Sequence, residues 1–270
     1  MTGELGGGIA EAGGLLERAI SLLEQVPPSE ALAEAYVSSG LFQAMAGRPE
    51  QALAAVCKVL ALGEPAPKPR SWALVARGMA RVTLGDVGGI EDLREAVRVA
   101  RSLAMPTALV LPLGNLAEHE WLIEGPSGAL ASYRETWDVA QSHGGLLDAT
   151  CFWAESVRPM LDLGEWDELL ARSQELRPAL ETQGASYTLA QMESYQAVVL
   201  LWRGELTAAR AMIESVLPAA RDIADLQVLV PALAVAALVE QASGSQSAAL
   251  ELAVEYEAAV RAAPGQVGWY

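Results

Sequence analysis

Two stretches, Asp162-Leu163-Gly164-Glu165-Trp166 and Trp202-Arg203-Gly204-Glu205, stand forty residues apart and share one grammar. Each places a glycine after an apolar run and an acid before the next apolar run. Working outward, the same glycine returns as Gly47, Gly85, Gly125, Gly164, Gly204 and Gly244, at intervals of 38, 40, 39, 40 and 40 residues. Glycine tolerates the left-handed conformation that ends a helix, and Pro49, Asp86, Pro126, Glu165 and Glu205 after it suit a first helical turn. The punctuation therefore reads helix, glycine, helix.

A second set of breakers separates one such unit from the next: Gly63 to Pro69, Ala104-Met105-Pro106, Gly144-Gly145, Gly184-Ala185 and Asp222 to Asp225. Between breakers, Leu93-Ala96-Val97-Ala100 and Leu169-Leu170-Ser173-Leu176 repeat at helical spacing, and no comparable window alternates with period two. The pattern predicts an all-α chain of six antiparallel helix pairs, near 29–62, 69–103, 106–143, 145–183, 185–222 and 225–263. Ile9 to Val26 reads as one lone helix ahead of them. Pro112, Pro159, Pro178, Pro218 and Pro231 are expected to interrupt helices and set curvature.

Small residues recur where paired helices would cross. Gly40, Gly78, Ala197 and Ala237 stand seven positions before a junction glycine, and Ala52, Ala129, Ala208, Ala209, Ala248 and Ala249 stand four or five after one. Such positions let backbones approach. A single pair cannot bury its apolar face, so successive pairs must stack, and residues 1–270 read as one solenoid domain.

The small residue in the first helix, the Leu-Gly-Asp or Leu-Gly-Glu junction and the alanine five residues later resemble the tetratricopeptide repeat. The resemblance spans nearly the whole chain, with a period longer than the usual ~34 residues. It implies a right-handed α-solenoid that binds partners on a concave face lined by the first helix of each pair. The longer helices, with Asp162 to Leu170 and Val199 to Leu206, resemble the repeat regions of large bacterial ATP-dependent LuxR-type regulators and ATPase-coupled adenylate or guanylate cyclases. By that resemblance the chain is a fragment of a longer array. Gly265 to Tyr270 offer no polar capping helix, which favours either such a fragment or a homo-oligomer formed through solenoid ends.

Composition narrows the function classes. The chain has 270 residues, 34 acids against 18 bases, and a net charge of −16. That charge repels phosphate backbones and anionic lipid, so neither nucleic acid nor membrane is expected as a partner. The longest uncharged runs, Ser102 to Ala117 and Leu226 to Val239, contain prolines and fall short of the ~20 residues a membrane span needs. With an acid at Glu4 where a secretory leader carries bases, a cytoplasmic protein is expected. The Arg94, Arg98, Arg101 stripe, alternating with acids, reads as a solvated face. Cys57 and Cys151 encode no disulfide framework and read as buried free thiols.

Catalytic chemistry is not encoded in any recognisable motif. The only lysines, Lys58 and Lys68, do not follow glycine, so no phosphate loop exists. His119 and His143 lie 24 residues apart, and no metal or other cofactor is expected. The expectation is a non-catalytic module that binds a protein or peptide partner, or a small anionic effector; the alternative is a free-standing scaffold. Projecting the tetratricopeptide register onto the first helices places Asn115, His119, Arg158, Gln191 and Tyr195 on the inner wall. Arg158 is the expected charge anchor, with Glu155 or Glu193 as internal partners if no ligand binds. Trp72, Trp121 and Trp153 could wall a pocket, although Trp153 and His119 also fit core positions.

Overall fold

The computed structural model describes residues 4–63, 65–103, 105–143 and 146–262. Among them all regular structure is helical. A lone helix α1 (Glu4–Leu23) precedes α2 (Glu30–Met45) and α3 (Pro49–Ala61), then α4 (Pro67–Thr83) and α5 (Gly89–Arg101). A 3-10 turn over Pro106–Leu109 leads into α6 (Val110–Glu124) and α7 (Pro126–Ser142). There follow α8 (Leu146–Glu155), α9 (Val157–Leu163), α10 (Trp166–Gln183), α11 (Ser186–Trp202), α12 (Leu206–Ile223), α13 (Leu226–Ala242) and α14 (Gln246–Ala262). The breaker Gly144-Gly145 and the tail from Gly265 to Tyr270 lie outside the described residues.

The junction glycines do what the spacing demands. All six adopt positive φ, from 68° at Gly47 to 99° at Gly125. Gly125, with ψ of 178°, occupies a region essentially confined to glycine, because a side chain there would collide with its own backbone. Helix α7 can thus begin immediately, with Pro126 in its first turn.

Pairs are α2 with α3, α4 with α5, α6 with α7, α11 with α12, and α13 with α14; α9 packs on α10 after the same kind of glycine turn. Within the units, α4 packs on α2 and α3, α6 on α4 and α5, α11 on α9 and α10, and α13 on α11 and α12. This is how a repeat with one apolar face on each helix covers itself. The described residues pack as two compact units, one up to residue 149 and the other from residue 150. In the first unit Leu32, Val37, Val56 and Val59 form one core, and Val75, Met79, Leu93, Val97 and Leu113 a second. In the second unit Ile213, Val216, Val228, Val235 and Val239 pack with the alanines Ala197, Ala209 and Ala236.

The closest helix approach is at Gly78 of α4. A Cβ there would stand 2.7 Å from Leu93 Cγ and 2.8 Å from the Gly89 carbonyl oxygen, and one at Gly89 would meet the Gly78 carbonyl at 2.5 Å. Two glycines face each other, and Gly89, four residues after Gly85, holds the place that Ala129 and Ala208 hold after their junction glycines. Gly40 is looser, its nearest neighbours being Ala76 Cβ at 3.4 Å and Val56 Cγ2 at 3.5 Å.

Two expectations are corrected. Pro178, Pro218 and Pro231 lie inside continuous helices, and Pro112 sits in the first turn of α6, where its missing N–H has no helical acceptor to serve. Only near Pro159 is a helix divided, at Ser156 between α8 and α9, where proline cannot donate to the carbonyl four residues back. The Ser156 hydroxyl donates to the Trp153 carbonyl at 2.6 Å and helps close the break. Cys57, expected to be buried, is exposed, and Cys151 is half-buried. Cys57 follows Val56 by one residue, and that 100° step carries it off the buried face of α3.

Candidate recognition site

In the unit 3–149, α6 carries Asn115 and His119. The Asn115 side-chain amide donates to the Leu111 carbonyl at 2.9 Å, and His119 Nδ1–H donates to the Asn115 carbonyl at 2.7 Å. His119 is fully buried. Burial pulls its pKa down to about 4, opposed in part by the Asn115 carbonyl, so the ring is neutral at physiological pH. Both side chains thus bond to the backbone of their own helix, and His119 occupies a core position.

The other three residues belong to the unit 150–270. Arg158 lies on α9 and Gln191 on α11, at 3% and 1% exposure, and α9 packs on α11. Tyr195, one turn after Gln191, is half-buried. The Gln191 amide nitrogen is buried and has no hydrogen-bond partner among the described residues; the same holds for Gln196 Nε2 on α11 and Ser173 Oγ on α10. Glu193 pairs with Arg177 of α10. Burial pushes the Glu193 carboxyl up from its ordinary range, against the opposing pull of Arg177.

Other expected positions fall as follows. Trp153 is core, 3% exposed, with the Arg172 guanidinium 5.2 Å from its ring centre. Trp72 is half-buried beneath Lys68, whose ammonium lies 4.8 Å from the ring centre. The arginine stripe of α5 is a solvated, acid-paired face: Arg94 with Glu91 and Glu124, Arg98 with Glu95, Arg101 with Glu135. Clefts in the first unit include one of about 350 Å³ between Val56, Leu60, Arg70, Ala73, Leu74, Arg77 and Glu95, and two smaller ones near Pro69. None of the five candidate residues lines them.

Sequence reasoning missed the unpartnered Gln196 and Ser173, since polar residues on a helix carry no signal of burial until their neighbours are known. It also passed over Trp166 and Trp202, although each stands two residues from a junction glycine. Among the described residues no three histidine, cysteine or carboxylate side chains converge to hold a metal, and no helix is long and apolar enough to cross a membrane.

No family model matches the sequence, and no curated protein does. The fold is nevertheless found in solved structures. The chain is similar to a Rap protein crystallised in complex with Competence and Sporulation Factor, at 11% identity and a TM-score of 0.70, over 100% of this chain and 78% of that one. It is also similar to the signal transduction ATPase PH0952 from Pyrococcus horikoshii, which has a tetratricopeptide repeat sensor, at 14% identity and a TM-score of 0.64. That match covers 95% of this chain and 41% of the ATPase. The fold is that of a tetratricopeptide-like, all-α helical array.

Proposed function

We propose that this chain is a non-catalytic recognition module, the sensor or scaffold region of a bacterial signalling or transcription-regulating protein acting in the cytoplasm. It binds a protein or peptide partner, or a small anionic effector, through its first helices. One observation carries the reading: Gln191 is 1% exposed on a first helix, and its amide nitrogen lacks a hydrogen-bond partner among the described residues. An unpaired buried donor costs about 1–3 kcal/mol, which a fold under selection for stability alone would remove. The similarity to a tetratricopeptide repeat described as a sensor, and to a repeat protein seen bound to a factor, supports the same reading. Arg158, buried beside this layer, is the anchor for an anionic group, because guanidinium stays charged and presents a planar fork of donors. Tyr195, one turn after Gln191, belongs to the same unit, whereas Asn115 and His119 lie in the other unit and form no part of this site.

The test joins stability to binding. Gln191→Leu should raise the melting temperature, since it removes an unpaired polar group, and should abolish stabilisation by any hit from a thermal-shift panel of small carboxylates and phosphate esters. Arg158→Ala should likewise abolish the response. If Gln191→Leu melts below the parent, its amide serves the fold and this reading fails.

A second reading, a scaffold that associates through its ends, is favoured by α14, which has no buried residue among those described and leaves Leu250 and Val254 at 67% and 59% exposure. Light scattering over a concentration series separates them: the recognition module keeps a constant mass, and end-to-end association gives growth.

A further inference from the structure

Trp202 ends α11 with 55% of its surface in water, although tryptophan gains more from burial than any other side chain. Its ring stacks obliquely on Trp166, the first residue of α10, with centroids 5.7 Å apart and planes inclined by 39°. Trp166 is half-buried and fixed by its indole N–H, which donates to the Leu161 carbonyl at 3.1 Å. The Arg203 guanidinium bonds Asp167 at 2.6 Å, so a charge pair and an aromatic pair both tie these two junction turns together. Trp202 is therefore held in place with a large part of its surface uncovered, and Leu163, three residues before Trp166, is 37% exposed.

The rim of the patch is acidic. Asp167, bonded to Arg203 yet with its side chain 94% exposed, and Glu205, exposed after Gly204, stand on these two turns. A nucleobase would bring phosphate into this field and be repelled. An apolar helix would find too little area and would bury carboxylates. A cation gains on both counts, attracted by the indole face and by the rim. Guanidinium fits better than ammonium, because it is planar, stacks on an aromatic ring and can bond a carboxylate with its edge while it does so.

We propose that Trp202 and Trp166 form a docking surface for an arginine-bearing extended segment of a partner protein, with the guanidinium stacked on Trp202 and its edge turned to the carboxylates of the rim. This surface is independent of the buried polar groups of α9 and α11 and has the opposite charge preference.

Calorimetry on the full chain with a short, end-blocked peptide of alternating glycine and arginine tests it. The peptide should bind saturably, and its citrulline counterpart, equal in shape and uncharged, should bind at least about tenfold more weakly. Trp202→Ala should lose affinity by a similar factor, Trp202→Phe less, and Glu205→Gln should weaken binding a few-fold. Glu50→Gln, which removes an exposed acid of α3, should bind as the parent does, which separates recognition at this surface from a general response to the chain's negative charge. Equal affinity for the citrulline peptide, undiminished binding by Trp202→Ala and Trp202→Phe, or the absence of saturable heat would each overturn the proposal. If Trp202→Ala does not fold, Trp202→Phe and Glu205→Gln carry the comparison.

Discussion

Ala224 shows how far a single residue can depart from the repeat and at what cost. It caps α12 with φ of 55° and ψ of 20°, and it stands forty residues after Gly184, which caps α10 with φ of 65° and ψ of 28°. Ala224 is the only non-glycine residue with positive φ among those described. Its Cβ strains this conformation by about 1–2 kcal/mol, whereas glycine adopts it freely but loses more entropy on folding. Ala224→Gly should therefore stabilise the fold by up to about 1 kcal/mol, measured by urea denaturation; a destabilised variant would mean that the methyl group packs usefully. His119 supplies a second test at this scale. Its folded pKa of about 4 lies below the unfolded value of about 6.5, so between these values the unfolded chain binds the extra proton. Stability is then full above about pH 6.5 and falls as pH drops toward about 4, by about 2 kcal/mol at pH 5. Replacing the titrating ring, as in His119→Gln, should flatten that part of the pH profile. Parallel profiles for parent and variant would show that the ring is not held neutral.

Between elements, the distinction lies in how near two backbones come. Gly78 and Gly89 put α4 and α5 in direct contact, whereas Gly40 leaves room for a methyl group at ordinary van der Waals distance. Alanine at Gly40 should be neutral or slightly stabilising, because helix propensity improves by roughly 0.5–1 kcal/mol. Alanine at Gly78 should cost about 1–3 kcal/mol, as should leucine at either position through overpacking. Thermal melts of the four variants check this, and equal melting of the two alanine variants would remove the close approach as the reason for glycine. The sequence made Gly78 legible through its fixed distance from the junction; Gly89 shares the register of Ala129, four residues after a junction glycine, but that spacing does not show how near the two backbones come. The proline expectations erred for a related physical reason: a helix supported on both sides by neighbours can carry a proline such as Pro178 or Pro218, forty residues apart, without dividing. The divided helix at Ser156 could not be read from Pro159 alone, since Pro178, Pro218 and Pro231 share its local chemistry inside undivided helices.

Across the whole chain, periodicity made the architecture legible, because six glycines at nearly constant spacing can serve only a repeated local turn. The candidate site was less so: residue type and register placed Gln191 and Arg158 on a first helix, but whether a side chain is buried and satisfied depends on neighbours from other elements. Charge is the property that sums over all of them. Most arginines sit in ion pairs between or within helices, such as Arg210 with Glu240 and Arg221 with Glu255, yet acids still exceed bases by 16. Exposed pairs are worth only about 0–1 kcal/mol each, whereas the unmatched carboxylates repel one another throughout the folded state, where they are closer together than in the unfolded chain. Raising ionic strength from about 0.01 M to about 0.15 M shortens the screening length from about 30 Å to about 8 Å. That weakens repulsion between separate carboxylates more than attraction between partners in contact. The melting temperature should therefore rise with sodium chloride across this range. A fall would mean that the ion pairs between successive helices outweigh the repulsion, and that the acidic excess is tolerated because those pairs hold the array together.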